Sequence, residues 1–166
     1  MAPDNQNQIL LRQMNYWRED LASLYYRVAD TDLQFSSISF FLLKIVSESF
    51  PDTSLTPQKK RCTEKLQSYR RDLVLLAGES RNLNHILGQQ LPDYFNINHT
   101  FFSIPPQPTN WYWDRNTYNG VERLSNLLSL LGKMSEQLKN YLQGLMRACD
   151  KVCDELKQQT NNGGVS

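Results

Sequence analysis

Apolar side chains recur along three long stretches of this chain at alternating spacings of three and four residues. Such spacing places the side chains on one narrow face of an α-helix. No segment alternates between apolar and polar residues with a period of two over a useful length. The pattern therefore predicts an all-α protein whose helices bury these faces against one another. In the last stretch the two rows are Leu124, Leu131, Leu138, Leu145 and Val152, and Leu127, Met134, Tyr141 and Ala148.

The first stretch predicts a helix over residues 6–49 in which one polar position, Thr31, interrupts the apolar row. We favour a helix that is continuous or merely kinked, because neither glycine nor proline lies at the interruption. The alternative is a split near residues 30–32, where Thr31 could cap a new helix and Gln34 could return the hydrogen bond. The apolar positions are Leu10, Met14, Trp17, Leu21, Leu24, Val28, Phe35, Ile38, Leu42 and Ile45.

Two further helices are predicted over residues 57–90 and 119–159. Pro51 cannot extend the first helix, and Thr56-Pro57 combines a capping hydroxyl with a proline at the first helical position. Pro92 closes the second helix, and Asn119 and Glu122 form a start signal for the third. Residues 161–166 are rich in Asn and Gly and are predicted to form a flexible tail.

The connection over residues 92–118 is unusual in length and in composition. Helices in bundles are usually joined by about two to eight residues. The stretch 105–108 contains three prolines and is typical of a polyproline II segment. Disordered linkers are poor in aromatic residues, so we expect most of this aromatic loop to be packed. Its aromatic residues are Tyr94, Phe95, Phe101, Phe102, Trp111, Tyr112, Trp113 and Tyr118.

Three long helices with one short and one long connection predict an elongated up-down-up bundle with coiled-coil-like packing. We expect a single domain over residues 1–160. Each helix of about 35 residues would be about 50 Å long, which makes the molecule a rod. Trp17 in a row of leucines resembles the core tryptophan of spectrin-type three-helix repeats. That resemblance implies only a manner of packing, because those repeats are much shorter and lack the long loop.

Composition and charge exclude several classes of protein. Lys and Arg total 18 against 17 Asp and Glu, so the net charge of +1 gives no overall attraction to nucleic acid. Three cysteines without framework spacing argue against a disulfide-stapled secreted domain. The first residues are polar, and no apolar run reaches the length of a membrane span. We therefore expect an intracellular protein of the cytoplasm or nucleus that does not associate with membranes.

No arrangement of residues predicts catalysis, a cofactor or a metal site. The chain has two histidines, His85 and His99, and neither lies in a nucleophile motif. Phosphate-binding glycine loops are also missing from the sequence. Cys149 and Cys153 share a helix face, but no second pair completes a set of metal ligands. We therefore expect a protein that is not an enzyme and that takes no small-molecule substrate.

A basic cluster near the start of the second helix is the strongest charge feature. Its residues are Lys59, Lys60, Arg61, Arg70 and Arg71. Such a cluster could bind anions or nucleic acid, but interleaved acidic residues make a solvated helix surface the simpler interpretation. Nucleic acid is accordingly a disfavoured partner.

The sequence favours a protein–protein interaction scaffold or adaptor subunit that pairs with another copy or with a different chain. Two alternatives stay open: a secreted four-helix cytokine-like ligand, which needs a true reversal near residues 30–32, and a nucleic-acid-associated helical subunit, which rests on the basic cluster. Tryptophan, tyrosine and other large apolar residues dominate protein-binding surfaces. The predicted partner-binding residues are Phe101, Phe102, Trp111, Tyr112 and Trp113 in the loop, with Phe40 and Phe41 on the first helix.

Overall fold

The computed structural model describes residues 2–48, 56–95 and 117–165, with side chains over residues 6–45, 60–95 and 124–159. It contains three helices: α1 (Ala2–Glu48), α2 (Thr56–Gln90) and α3 (Thr117–Val165). Within the described residues there is no strand, and the helices pack against one another as a bundle. The predicted all-α, three-helix architecture is confirmed. Helix α3 continues through residues 161–165, where the sequence predicts a flexible tail.

Helix α1 is continuous through residues 30–32. The Thr31 hydroxyl donates a hydrogen bond to the carbonyl oxygen of Val28 at 2.5 Å, inside the same helix, and does not cap a new one. Gln34, the expected capping partner, donates instead to the Asp72 carboxylate on α2 at 2.8 Å. The chain reversal on which the cytokine-like alternative depends is therefore not present in α1.

The core is formed by the apolar rows that the sequence predicts on all three helices. Trp17 is half-buried at the edge of this core. Burying one such Leu, Val or Met side chain contributes about 1.5–3 kcal/mol, so the rows are the main stabilising feature of the bundle. Fully buried core residues include Met14, Leu21, Val28, Leu66, Tyr69, Leu73, Leu87, Leu131 and Leu138. Leu142, which lies outside the predicted rows of the third helix, is also fully buried.

Helix α1 runs antiparallel to both of its neighbours, and it packs most extensively against α3. As the residue numbers rise along α1, those of the contacting residues on α2 fall: Arg27 contacts Glu79, Gln34 contacts Asp72, and Phe41 contacts Lys65. The residue numbers of the contacting residues on α3 fall in the same way. The pairs are Asn15 with Cys153, Arg18 with Asp150, Tyr25 with Gln143, and Asp32 with Lys139. Helices α2 and α3 therefore run in the same direction.

The direction of α3 differs from the predicted up-down-up order. Tyr94, just after α2, donates a hydrogen bond to Glu155 near the end of α3. Thr117, where α3 begins, lies about 57 Å from Glu155 along the helix axis at 1.5 Å per residue. The end of α2 and the start of α3 therefore lie at opposite ends of the bundle, a separation that no loop of two to eight residues could span. None of the helices, over the residues that the structure describes, is both long and apolar enough to cross a membrane.

Candidate protein-binding surface

Helix α1 carries large apolar side chains on the side that faces away from the bundle. Tyr26, Leu33 and Phe40 are spaced by seven residues, and Leu43 follows Phe40 by three. Their exposed fractions are 67%, 75%, 66% and 69%. At 3.6 residues per turn, Leu33 points about 140° away from the buried Val28 and about 160° away from the buried Thr31. We call Tyr26, Leu33, Phe40 and Leu43 the outer face of α1.

Polar contacts to α3 fix one flank of α1. The Arg18 guanidinium lies 2.6 Å from the Asp150 carboxylate, and the Tyr25 hydroxyl accepts a hydrogen bond from Gln143 at 3.4 Å. The Lys139 ammonium donates to Asp32 at 2.7 Å. These contacts lie along one edge of α1 and keep that edge against α3.

Contacts to α2 fix the opposite flank. Arg27 pairs with Glu79 at 2.7 Å, and Gln34 donates to Asp72. The Lys65 ammonium lies 5.4 Å from the centre of the Phe41 ring, which is half-buried. Because α1 is held on both flanks, its rotation is set and the outer face is kept pointing to solvent.

A shallow furrow runs along the seam between α1 and α2, beside the outer face. One depression of about 350 Å³ is lined by Leu33, Gln34, Ser37, Ile38, Lys65 and Ser68. A second, of about 300 Å³, continues it towards Arg27, Asp30 and the exposed Leu75. Both are open to solvent, so they suit the side chains of a partner better than an enclosed small molecule.

The sequence-predicted partner residues fall in three different places. Phe40 lies on the outer face, whereas Phe41 packs under Lys65 at the α1–α2 seam. The loop residues Phe101, Phe102, Trp111, Tyr112 and Trp113 lie outside the described residues. Tyr26 and Leu33 are surface residues that the sequence analysis missed. The signal that could have found them is the second row, Tyr26, Leu33 and Phe40, which keeps a spacing of seven on the side opposite the buried row.

The basic cluster is spread around α2. Lys60 and Arg61 are exposed near the start of the helix, and Arg71 is exposed about 15 Å further along at 1.5 Å per residue. Arg70 is half-buried, and the side chain of Lys59 lies outside the described side chains. The exposed Glu64 lies between them along the helix. Binding of an anion or of nucleic acid by this cluster stays a prediction.

A polar layer crosses the middle of the bundle. The Lys139 side chain is 14% exposed and contacts both Asp32 and Glu136 at 2.7 Å. Burial lowers the pKa of Lys139, but the hydrogen bonds that its ammonium donates to Asp32 and Glu136 outweigh this effect, so the net pKa is raised. Burial also raises the pKa of the nearby Tyr69 to about 12. Both groups hold their protons at neutral pH, so neither is arranged to act as a general base.

The cysteines are similarly unreactive by environment. Cys62, Cys149 and Cys153 are free and buried. Burial raises the pKa of Cys62 to about 11 and that of Cys149 to about 12. Because the thiolate is the nucleophile and the metal ligand, buried protonated thiols fit a packing role. Over residues 2–48, 56–95 and 117–165, no group of three or more His, Cys, Asp or Glu residues is placed to hold a metal ion.

The arrangement therefore offers an exposed apolar surface on a helix that is held against α2 and α3 on its two flanks. Comparison with protein-family models, with curated proteins and with solved structures gave no match for this chain.

Proposed function

We propose that this protein is a protein–protein interaction scaffold or adaptor subunit that binds another protein chain through the outer face of α1. The observation that carries the proposal is the exposure of Tyr26, Leu33, Phe40 and Leu43, each about two-thirds or more, on a helix that is held in place on both flanks. Large apolar patches on the surface of a helical protein usually mark binding sites.

The energetics of the outer face favour contact with a partner. Burying a Leu or Phe side chain is worth about 1.5–3 kcal/mol, and α1 keeps four large side chains in water. Because α1 is a continuous helix held on both flanks, we expect binding to cost little free energy in ordering this surface. The partner element that best matches the outer face is an amphipathic helix, because its apolar side chains recur at the same spacings.

The thiols support a location inside the cell. Three buried, unpaired cysteines suit a reducing compartment such as the cytoplasm or the nucleus. A thiol count on the denatured protein tests this: three reactive thiols support the proposed location, and one would favour a secreted protein with a single bridge.

The function is tested by removing the apolar character of the outer face without disturbing the core. In Leu33→Ser/Phe40→Ser both changed side chains are solvent-exposed, so circular dichroism and the unfolding midpoint should stay close to wild type. Chemical cross-linking in native extract, read by quantitative mass spectrometry, should show loss of the partners that wild type captures.

A matched control is Leu130→Ser, which changes an exposed leucine on α3, away from the outer face and the furrow. This variant should keep the partners. A Trp111→Ala/Trp113→Ala variant tests the loop separately. If only the loop variant lost its partners, with its stability unchanged, the binding function would belong to the loop and not to the outer face.

A further inference from the structure

We infer that the outer face of α1 pairs with the same face of a second copy of the chain, with the two α1 helices antiparallel. This inference rests on the proposed function and names the partner. It follows from the shape of the surface and from the placement of charges along it. A C2 dimer requires a surface that is complementary to itself, and the outer side of α1 meets that requirement.

The surface alternates between large and small residues. Tyr26, Leu33 and Phe40 form a ridge, and three residues before each of them lies Ser23, Asp30 or Ser37. In an antiparallel pair of helices, each large side chain of one row inserts between residues of the offset row on the partner. Both rows repeat every seven residues, so one helix can fit the other over several heptads.

One register brings large residues opposite small ones. It places Phe40 opposite Ser23 of the other copy, and Tyr26 opposite Ser37. At the edge of the same contact Leu43 lies opposite Ala22, and Ala29 lies opposite Ser36. Because the pairing is two-fold symmetric, each of these contacts occurs twice. Large-to-small packing of this kind lets two helices approach closely without cavities.

Charge selects this register. It places Glu19 of each copy opposite Lys44 of the other, at both ends of a contact about 38 Å long at 1.5 Å per residue. A shift of one heptad would put Arg12 opposite Lys44 and bring the two copies of Arg27 together. A shift of two heptads would put Glu19 opposite Asp30. Like charges that face each other across an interface are destabilising, so both shifts are disfavoured. A shift of one heptad in the other direction loses both Glu19–Lys44 pairs.

A parallel pair is disfavoured for the same reason. It would place Arg12, Glu19, Asp30 and Lys44 each opposite its own copy, which makes four layers of like charge. The antiparallel register has one kind of polar mismatch, which occurs twice near the centre, where Leu33 of each copy meets Asp30 of the other.

The test is a charge reversal and its compensation, read by light scattering and sedimentation equilibrium of the full chain. Wild type should be a dimer. Glu19→Lys should weaken the dimer about tenfold, because two attractive pairs become repulsive at once. Glu19→Lys/Lys44→Glu should recover most of the affinity, since the pairs are restored with opposite polarity. Glu64→Lys changes an exposed glutamate on α2 and should leave the dimer unchanged.

The outcomes separate this inference from the proposed function. A wild-type monomer at high micromolar concentration would overturn self-pairing, while loss of another partner in Leu33→Ser/Phe40→Ser would still support binding through the outer face. A dimer that Phe40→Ser disrupts but charge reversal does not would overturn the register and with it the inference as stated. A dimer insensitive to both changes would overturn self-pairing through α1. If Leu33→Ser/Phe40→Ser kept every partner that wild type captures, the proposed function itself would be overturned.

Discussion

Single residues in the core show where two helices approach most closely. A Cβ atom added at Gly132 on α3 would lie 2.8 Å from Cε2 of Phe35 on α1. The Phe35 ring is itself held edge-on against Tyr69, with ring centroids 6.3 Å apart. Gly132 is therefore required by the approach of an aromatic ring. The sequence places a glycine here but cannot indicate which ring lies above it, because that depends on the α1–α3 register.

We predict opposite effects for alanine at two glycines. Gly132→Ala should destabilise the protein by about 1 kcal/mol, because a strain of about 1–3 kcal/mol exceeds the gain of about 1 kcal/mol in helix propensity. Gly78→Ala should stabilise it by about 1 kcal/mol, since an added Cβ there meets nothing within 4 Å. Urea unfolding of both variants measures the free energies. Stabilisation by Gly132→Ala would contradict the close approach of Phe35.

The buried thiol of Cys62 predicts a loss of stability at alkaline pH. Its pKa is raised from 9.0 to about 11 by burial. Between these pH values the unfolded chain loses a proton that the folded protein keeps. The contribution of Cys62 to the free energy of unfolding is therefore fully present below about pH 9 and is lost as the pH rises through about 11. Thermal unfolding at a series of pH values should show this decline.

The matched variant for this decline is Cys62→Ala, which has no thiol to ionise. It should have a lower midpoint at neutral pH because of the smaller side chain, and a shallower decline above pH 9. Burial raises the pKa of Cys149 to about 12, and this thiol lowers stability at alkaline pH in the same way. Some decline should therefore remain in Cys62→Ala. Equal slopes for the two proteins would mean that Cys62 is not protected in the fold.

At the scale of the elements, the apolar pattern predicts where the helices lie, and polar residues on the flanks of α1 show which positions of α2 and α3 it contacts. The rows of Leu, Val and Ile predict all three helices to within a few residues, because a helix must bury such a face. The segment around Thr31 was ambiguous because the same residues that can cap a helix can also bond within one or across to a neighbour. Thr31 bonds within α1. Asp32 and Gln34 bond across to α3 and α2, and these contacts depend on neighbouring helices that the local sequence does not encode.

The polar layer predicts unequal values for two ion pairs of α1. Asp32→Ala leaves the largely buried Lys139 without one of its two carboxylates and should cost about 2 kcal/mol. Arg18→Ala removes a pair whose side chains are 43% and 50% exposed, and should cost less than about 1 kcal/mol. Urea unfolding midpoints compare the two variants directly. Equal losses would show that burial of Lys139 does not strengthen its contacts.

At the scale of the whole molecule, the candidate site could be predicted only in part. Phe40 was found because it lies in an apolar run, and Tyr26 and Leu33 were missed because they are isolated among polar residues. Their common face becomes clear once the inward row is known. Helix direction was beyond the sequence, since a heptad pattern is equally compatible with parallel and antiparallel neighbours.

The parallel arrangement of α2 and α3 gives a distance that can be measured. Spin labels on the exposed residues Gln89 and Lys151 should be close together, because both lie near the same end of the bundle. Labels on Gln89 and the exposed Ser125 should be about 39 Å apart along the axis, at 1.5 Å for each residue between Ser125 and Lys151. An up-down-up order would reverse these distances, because the start of α3 would then lie beside the end of α2. Double electron–electron resonance on the two labelled pairs therefore decides the path of the chain, and a short Gln89–Ser125 distance would overturn the topology.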